Sequence, residues 1–327
     1  SPKQNYMELN QFIWNNYKES KEGQEVIKLF EEGYLEDIIS KFVKDGSNKD
    51  LEQYLFIIDD IVNSSPLPEN IKYKDFYPYI LENGLKILDE SEKEYDIFKP
   101  EEYDMIIAFI EPFSLCLFSS NEEREEDFYI PYFFQMNFGN LQKIADTFNI
   151  ELPKVPLRKD KRERALYYLE FCKLWNEFRK QNNLTIFELC AFLYDFAPKF
   201  IGKEKEQTLP EPTNIWITGG GIKNGDYKFL SEAKSDSTCF WSGNEDAVKG
   251  DIILMYCLSP KSSIEFVCRA VTDGIRDPFF WYYGETHIGH IQHIKPITLA
   301  EIKADEHLKG LPIVRKNFQG VNGTRLH

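Results

Sequence analysis

The spacing of apolar residues changes its period once along the chain, near residue 208, and this change constrains the fold more than any other feature of the sequence. Upstream, apolar residues recur at helical spacing: Val26, Ile27, Phe30, Tyr34, Ile38, Ile39 and Phe42 form one stripe. Similar stripes run through Leu51–Val62, Phe76–Leu88, Met105–Phe118, Leu141–Phe148, Leu166–Phe178 and Ile186–Phe196, separated by turn formers such as Asp45-Gly46-Ser47-Asn48 and Ser64-Ser65-Pro66. Downstream the runs are short and rich in β-branched residues: Ile215–Thr218, Thr238–Trp241, Asp251–Leu258, Ile264–Ala270 and Thr286–Ile294. Gly219-Gly220-Gly221, Asn224-Gly225, Gly243-Asn244 and Asp273-Gly274 bound them. One helix is expected from Leu299 to Leu308, opened by the capping box of Thr298 and Glu301. The expected architecture is α+β. An all-helical domain of about seven or eight helices occupies 1–205 and a polar, Pro-containing linker 206–212. A small mixed β-barrel with one or two helices follows over 213–327.

The charge divides at the same place. The whole chain carries 39 Lys+Arg and 54 Asp+Glu, but the 119 residues from Leu209 onward hold 13 basic and 14 acidic side chains. The acid therefore belongs almost wholly to the helical part, and with a net charge of −15 a whole-chain electrostatic grip on nucleic acid is not expected. The longest apolar stretch, Ile106 to Phe118, is interrupted by Glu111 and Pro112 and is too short for a membrane span. No apolar segment of a secretory leader is read at the N-terminus. The six cysteines (Cys116, Cys172, Cys190, Cys239, Cys257, Cys268) show no metal-knuckle spacing and mostly sit in apolar runs. They read as buried free thiols of a cytoplasmic protein.

Several segments of the C-terminal part carry specific patterns. Pro296-Ile297-Thr298-Leu299-Ala300-Glu301-Ile302-Lys303-Ala304-Asp305 is followed by Leu311-Pro312-Ile313-Val314-Arg315. Ala247 to Tyr256 contains Lys249-Gly250-Asp251 ahead of an apolar strand, Ile264–Asp273 reads as a barrel strand with Asp277-Pro278-Phe279 as its turn, and Ile215-Trp216-Ile217 opens the domain. Together these resemble the EVE domains of the PUA-like superfamily, which also contains the YTH readers of methylated adenine. The resemblance covers about Thr213 to Leu326 and departs from the family at Gly219-Gly220-Gly221 and at Leu258, where a His is expected.

What the resemblance implies is a PUA-like, EVE-type barrel with a pocket for a flipped-out base, walled by aromatic rings. The implied pocket residues are Trp216, Thr218, Gly219 and Gly220 at the end of the first strand. Phe240, Trp241, Ser242 and Asn244 form the next corner. Tyr256, Leu258 and Ser259 end the strand facing the pocket, and Asn317 and Gln319 lie in the last loop. The implied protein is a non-catalytic reader of nucleic acid, with modified DNA as the leading ligand. Such domains serve bacterial restriction and anti-phage systems beside a nuclease or motor partner protein. An RNA-binding module and a protein–protein adaptor with a degenerate pocket are the competing readings, and no cofactor is implied.

Other constellations carry less. His287, His290 and His293 sit at three-residue spacing, but in a strand His287 and His293 share one face and His290 the other, so no metal site is expected. Asp226, Glu232 and Lys234 mimic a nuclease spacing but read as a polar loop between strands. The paired Asp59 and Asp60 read as solvated surface. No Walker, G-x-S-x-G or H-E-x-x-H motif occurs, so no catalytic residue is assigned. From Lys154 to Lys180 nine basic residues face four acids, and Arg158, Lys159, Lys161, Arg162 and Arg164 are candidate phosphate contacts. Their alternative role is to pair with the acidic helices around them.

Overall fold

Local capping fixes where the helices begin. The computed structural model describes residues 9–42, 107, 110, 114, 118, 128–132, 138–201, 208–279 and 284–327. The stripes Leu51–Val62 and Phe76–Leu88, the pair Asp59-Asp60 and the cluster Trp281-Tyr282-Tyr283 lie outside them. The chain divides into two units, Ser1–Lys205 with Pro278–Trp281, and Glu206–Asp277 with Tyr282–His327.

In the first unit, α1 (Gln11–Glu19) starts where the Asn10 side chain accepts from the Phe12 and Ile13 amides, and α2 (Lys21–Glu32) where Ser20 accepts from Gly23. Next come α3 (Leu35–Phe42), α4 (Phe138–Thr147) and α5 (Lys161–Gln181). The reciprocal box of Thr185 and Glu188 opens α6 (Ile186–Ala191), which runs through a π-turn at Phe192–Phe196 into α7 (Ala197–Ile201). Ile107, Ile110, Ser114 and Phe118 are helical and buried, the inward face of the Met105–Phe118 stripe. Aromatic packing holds the unit together: Trp14 stacks on Tyr17 at 5.3 Å and meets Phe196 edge-on at 5.2 Å. Phe279 belongs to this core, its ring 4.5 Å from Tyr132 and 5.5 Å from Phe171.

The second unit is a curled mixed sheet with flanking helices. Its strands are β1 (Ile215–Gly220), β2 (Cys239–Ser242), β3 (Ile252–Cys257), β4 (Ser263–Ala270), β5 (Ile275–Arg276), β6 (Gly284–Thr298) and β7 (Asn322–Arg325). They pair in the order β2-β6-β4-β3-β1-β7, with β5 on β6; β1 and β3 run parallel, and every other pair is antiparallel. The helix α8 (Asp226–Glu232) lies in the connection between β1 and β2, where the sequence suggests a loop. The Asn224-Gly225 turn, with Gly225 left-handed, starts it. The ladder does not close into a barrel. Side chains join the curled ends instead: the Thr218 hydroxyl donates to the Ser242 carbonyl at 2.7 Å, and the Asn244 amide donates to the Gly323 carbonyl at 3.0 Å. That approach requires a bare backbone at Gly323, whose φ is 77° and where a Cβ would lie 2.3 Å from the Asn244 nitrogen.

Two expected elements end differently. Helix α9 (Leu299–Ala304) stops early because the Asp305 carboxylate accepts from the His307 and Leu308 amides, diverting them from the helix. Leu311-Pro312-Ile313-Val314-Arg315, which resembles a strand, is a helical turn, α10 (Pro312–Arg315), with Pro312 at its first position.

The sheet separates two clusters. Trp216, Leu230, Trp241, Ile253, Met255, Cys257, Phe266, Cys268 and Ile288 fill the inner face. Ile217, Tyr256, Ile264, Ile302, Val314 and Phe318 pack beneath α9 and α10 on the outer face. At the start of the parallel pair, the buried Asp251 carboxylate gathers six donors. Its Oδ1 accepts from the Thr213 hydroxyl and amide and the Asn214 amide. Its Oδ2 accepts from the Asn214 side chain, the Trp216 indole at 2.8 Å and the Val248 amide. Burial by itself raises the Asp251 pKa, but the donors from Trp216, Val248, Asn214 and Thr213 outweigh it and bring the value down from 3.8 to about 2.

Asp251→Ala strands those donors and is expected to cost roughly 3 kcal/mol of stability, read by urea unfolding of the second unit's tryptophan signal. Because the folded pKa is lowered, the Asp251 contribution is complete above pH 4 and is lost as pH falls toward about 2. An acid-unfolding midpoint unchanged between wild type and Asp251→Asn would contradict that assignment. Burial pushes the thiols of Cys172, Cys257 and Cys268 up to about 12 and that of Cys190 well above its usual value. Among the described cysteines the half-buried Cys239 is therefore expected to react first with a thiol reagent at pH 8, and the other four only on unfolding.

Candidate functional site

The carboxyl ends of the parallel pair β1 and β3 form one rim of the curled sheet, and there the inner face carries a set of polar and aromatic side chains. Gly220 ends β1; a Cβ on it would lie 3.5 Å from Leu230 and 3.5 Å from the Trp241 ring edge. Trp241 is held there by its indole N–H, which donates to the Gly219 carbonyl at 2.9 Å. The Asp226 carboxylate accepts from the Gly221 amide at 3.0 Å and from the Asn224 side chain at 2.9 Å, fixing the turn that starts α8. Tyr227 follows, its ring edge-on to Phe266 at 5.7 Å and the Lys261 ammonium 4.8 Å from its centroid.

Glu265 completes the rim. On β3, Tyr256 pairs with Ile264 and Met255 with Phe266; on β6, Ile297 pairs with Ile264 and His293 with Phe266. Glu265 is thus the extra residue of a β-bulge against β3, while on its other side β6 is the longer strand, with residues 294–296 opposite it, and the bulge turns the Glu265 side chain to the inner face. There the Tyr227 hydroxyl donates to Oε1 at 3.1 Å, the Ser263 hydroxyl donates to Oε2 at 3.0 Å, and His293 Nε2 stands 3.6 Å from Oε1.

The residues singled out from sequence are divided by the sheet, because alternate positions of a strand face opposite sides. Trp216, Thr218 and Gly220 point inward with Trp241, whereas Tyr256 packs outward against Phe318, their rings 4.2 Å apart. Trp216 is a core residue whose indole is committed to Asp251, not a pocket wall. Thr218 is spent on the seam, as is the Ser242 carbonyl. Asn244 serves structure: its Oδ1 accepts from the Asp246 amide in an Asx turn while its amide holds Gly323. Phe240 stacks on His287 at 4.3 Å, opposite in facing to Trp241. Leu258, Ser259, Asn317 and Gln319 are exposed, and the left-handed Asn317 (φ 54°) shapes the last loop. Gly219 faces outward, where a Cβ would meet Val321 at 2.9 Å and Leu258 at 3.7 Å.

The remaining candidates separate likewise. Arg158 and Lys159 are exposed just ahead of α5 and Lys161 is half-buried at its start. Arg164 is buried, so it is a core residue of the helical unit and not a phosphate contact. Arg162 lies in α5 and its side chain is outside the described set. A second bulge in β6, between the pairs Val267–Gln292 and Arg269–Gly289, reverses the alternation expected for the histidines. His287 lies on the outer face beside Phe240, His293 on the inner face against Phe266, and His290 is exposed. Among the described residues no group of three or more His, Cys, Asp or Glu could hold a metal ion, and no helix is long and apolar enough to cross a membrane.

Sequence reasoning missed Tyr227, Lys261 and Glu265 as members of this rim. The signal was present: Glu265 is a lone acid inside the strand run Ser263-Ile264-Glu265-Phe266-Val267, where only a side chain with polar partners is tolerated.

The fold that positions this rim is α+β, a helical region followed by a curled mixed half-barrel with flanking helices. No family model matches the chain, and no curated protein does. Among solved structures it is similar to the NMR structure of Rpa0253 from Rhodopseudomonas palustris, at 17% identity over 34% of this chain and 85% of that one, with a TM-score of 0.30.

Trp241→Phe keeps a ring in place but removes the indole donor to Gly219. Its expected cost is about 1 kcal/mol, against roughly 4 kcal/mol for Trp241→Ala, both read from urea midpoints.

Proposed function

We propose that the curled sheet is a nucleic-acid reader that takes up a flipped-out, modified base of DNA at the rim formed by the ends of β1 and β3. The observation that carries this reading is the convergence of the Trp241 ring edge, the side-chain-free Gly220 and the Tyr227 ring under Lys261 at one place on the inner face. A base needs an aromatic surface and polar groups for its edge, and Trp241, Tyr227 and Lys261 are side chains of those kinds. The near balance of 13 basic and 14 acidic residues from Leu209 onward favours recognition by stacking and edge contacts over a phosphate grip. The protein acts without catalysis of its own, guiding a nuclease or motor partner in a restriction or anti-phage setting, as the resemblance to EVE domains implies.

The test is fluorescence anisotropy of the full chain against short duplexes that carry modified cytosine or adenine, with unmodified DNA and matched RNA beside them. One modified duplex is expected to bind at least tenfold more tightly than its unmodified form. One to three kcal/mol of base stacking corresponds to roughly five- to 150-fold in affinity. Trp241→Ala, verified as folded by circular dichroism, abolishes that preference, while Trp241→Phe keeps most of it. Preference for RNA would replace the DNA reading through the 2′-hydroxyl. Absence of any binding would leave the adaptor reading in its place.

A further inference from the structure

A charged side chain that is nearly sealed inside an apolar sheet needs an explanation, and Glu265 is 3% exposed between the inner-face residues Cys257 and Phe266. Taking a carboxylate from water costs several kcal/mol unless partners replace the solvent. Here the replacements are two neutral hydroxyls, Tyr227 and Ser263, and the ion-pair partner within reach is His293, whose side chain is 56% exposed. The Lys261 ammonium is placed over the Tyr227 ring, 4.8 Å from its centroid. Each carboxylate oxygen has two lone-pair directions, so one hydroxyl on each leaves acceptor capacity on both. A bulge in β4 turns the group inward, and bulges of this kind re-aim side chains beside binding sites.

We infer that Glu265 is the specificity-determining acceptor of the rim, and that the ligand is a base presenting an exocyclic amino group, of cytosine or adenine type, rather than a base presenting a keto oxygen at that position. This rests on the base-reading function proposed above and names the class of base. A carboxylate accepts from the amino group of cytosine or adenine and repels the carbonyl oxygen that replaces it in uracil or hypoxanthine. Glu265 lies one side-chain layer beneath the surface. Tyr227 and His293, which touch it, are half-buried and exposed, so an amino group reaches the carboxylate by taking the place of the Tyr227 hydroxyl or by filling a second lone pair beside it. The donors already present hold the carboxylate in one orientation before the ligand arrives, which is what discrimination by a single hydrogen bond requires.

The experiment measures binding of the full-length protein to two matched pairs of duplexes. One pair carries 5-hydroxymethylcytosine or 5-hydroxymethyluracil at the test position, the other N6-methyladenine or hypoxanthine, and each pair differs there by an amino N–H against a keto oxygen. Wild type is expected to bind the amino member of at least one pair roughly ten- to a hundredfold more tightly. Glu265→Gln, whose side-chain amide can both donate and accept, is expected to bring the two members within a fewfold of each other without abolishing binding; a merely structural role would weaken both equally. Equal binding of the two members by wild type, or preference for the keto member, overturns the inference and leaves the base-reading function standing. Binding of none of the four, or of all four no better than unmodified duplex without a test base, overturns both. The wild-type arm decides the matter even where Glu265→Gln does not fold.

Discussion

The second unit depends on one buried carboxylate. A parallel pair needs a long connection between its strands, and β1 and β3 must be fixed to each other although nearly forty residues separate their starts. Asp251 does this at the amino ends. It binds the chain entering β1 through Thr213 and Asn214, the first core indole through Trp216 and the turn before β3 through Val248. Removing it leaves several buried donors without partners at once, which costs more than one ordinary hydrogen bond. The same bond explains why Trp216 is unavailable for ligand: its polar edge is already used, and its ring fills the inner core.

Fixing the amino ends leaves the carboxyl ends as the adjustable part of the pair. There the backbone stops being regular. β1 ends in Gly219-Gly220 with Gly221 just beyond, β3 runs into a turn in which the Lys261 amide donates to the Leu258 carbonyl, and β4 opposes it with a bulge. Each irregularity puts a group on the inner face that a regular strand would not. Gly220 leaves space against Trp241, and the bulge delivers Glu265 into the same region as Tyr227. The ends of the sheet are tied by two side-chain bonds from Thr218 and Asn244 rather than by a backbone ladder, so strand β2 and its Trp241 are held near β1 without a closed barrel.

What the sequence made legible follows from this arrangement. The change of hydrophobic period near residue 208, the strands β1, β3 and β4 and the Thr298 cap are local features, written in short-range patterns, and the structure has them. The facing of side chains was less legible, because it depends on counting by two along strands whose bulges cannot be seen in one sequence. The bulge in β6 puts His287 and His293 on opposite faces although six residues separate them, and the bulge in β4 gives Glu265 the facing of its neighbour Phe266. Asp251 stood in plain view after Gly250, yet its partners lie from three to 38 residues before it in the chain, and no local pattern discloses the distant ones. Arg164 misled for a related reason: a run of basic residues at a helix start looks like surface, but the helical turn carries every third or fourth member inward.

A buried acceptor and a balanced surface have a joint consequence for how such a rim can choose a ligand. With 13 basic and 14 acidic residues from Leu209 onward, long-range attraction toward phosphate contributes little, so encounter is not steered by net charge. On the proposed base-reading function, discrimination falls to contacts made only when a base is inserted: an aromatic surface that meets amino and keto edges alike, and a hydrogen bond that does not. On that reading the aromatic part does not distinguish an amino from a keto edge, because each base has a π-face. Glu265 works the other way, since a carboxylate already holding two hydroxyls gains little from water but loses heavily when a carbonyl oxygen is pressed against it. Selectivity in this arrangement therefore arises mainly from rejection of the wrong edge, and the desolvation cost of burying Glu265 is the stability that the sheet gives up to obtain it.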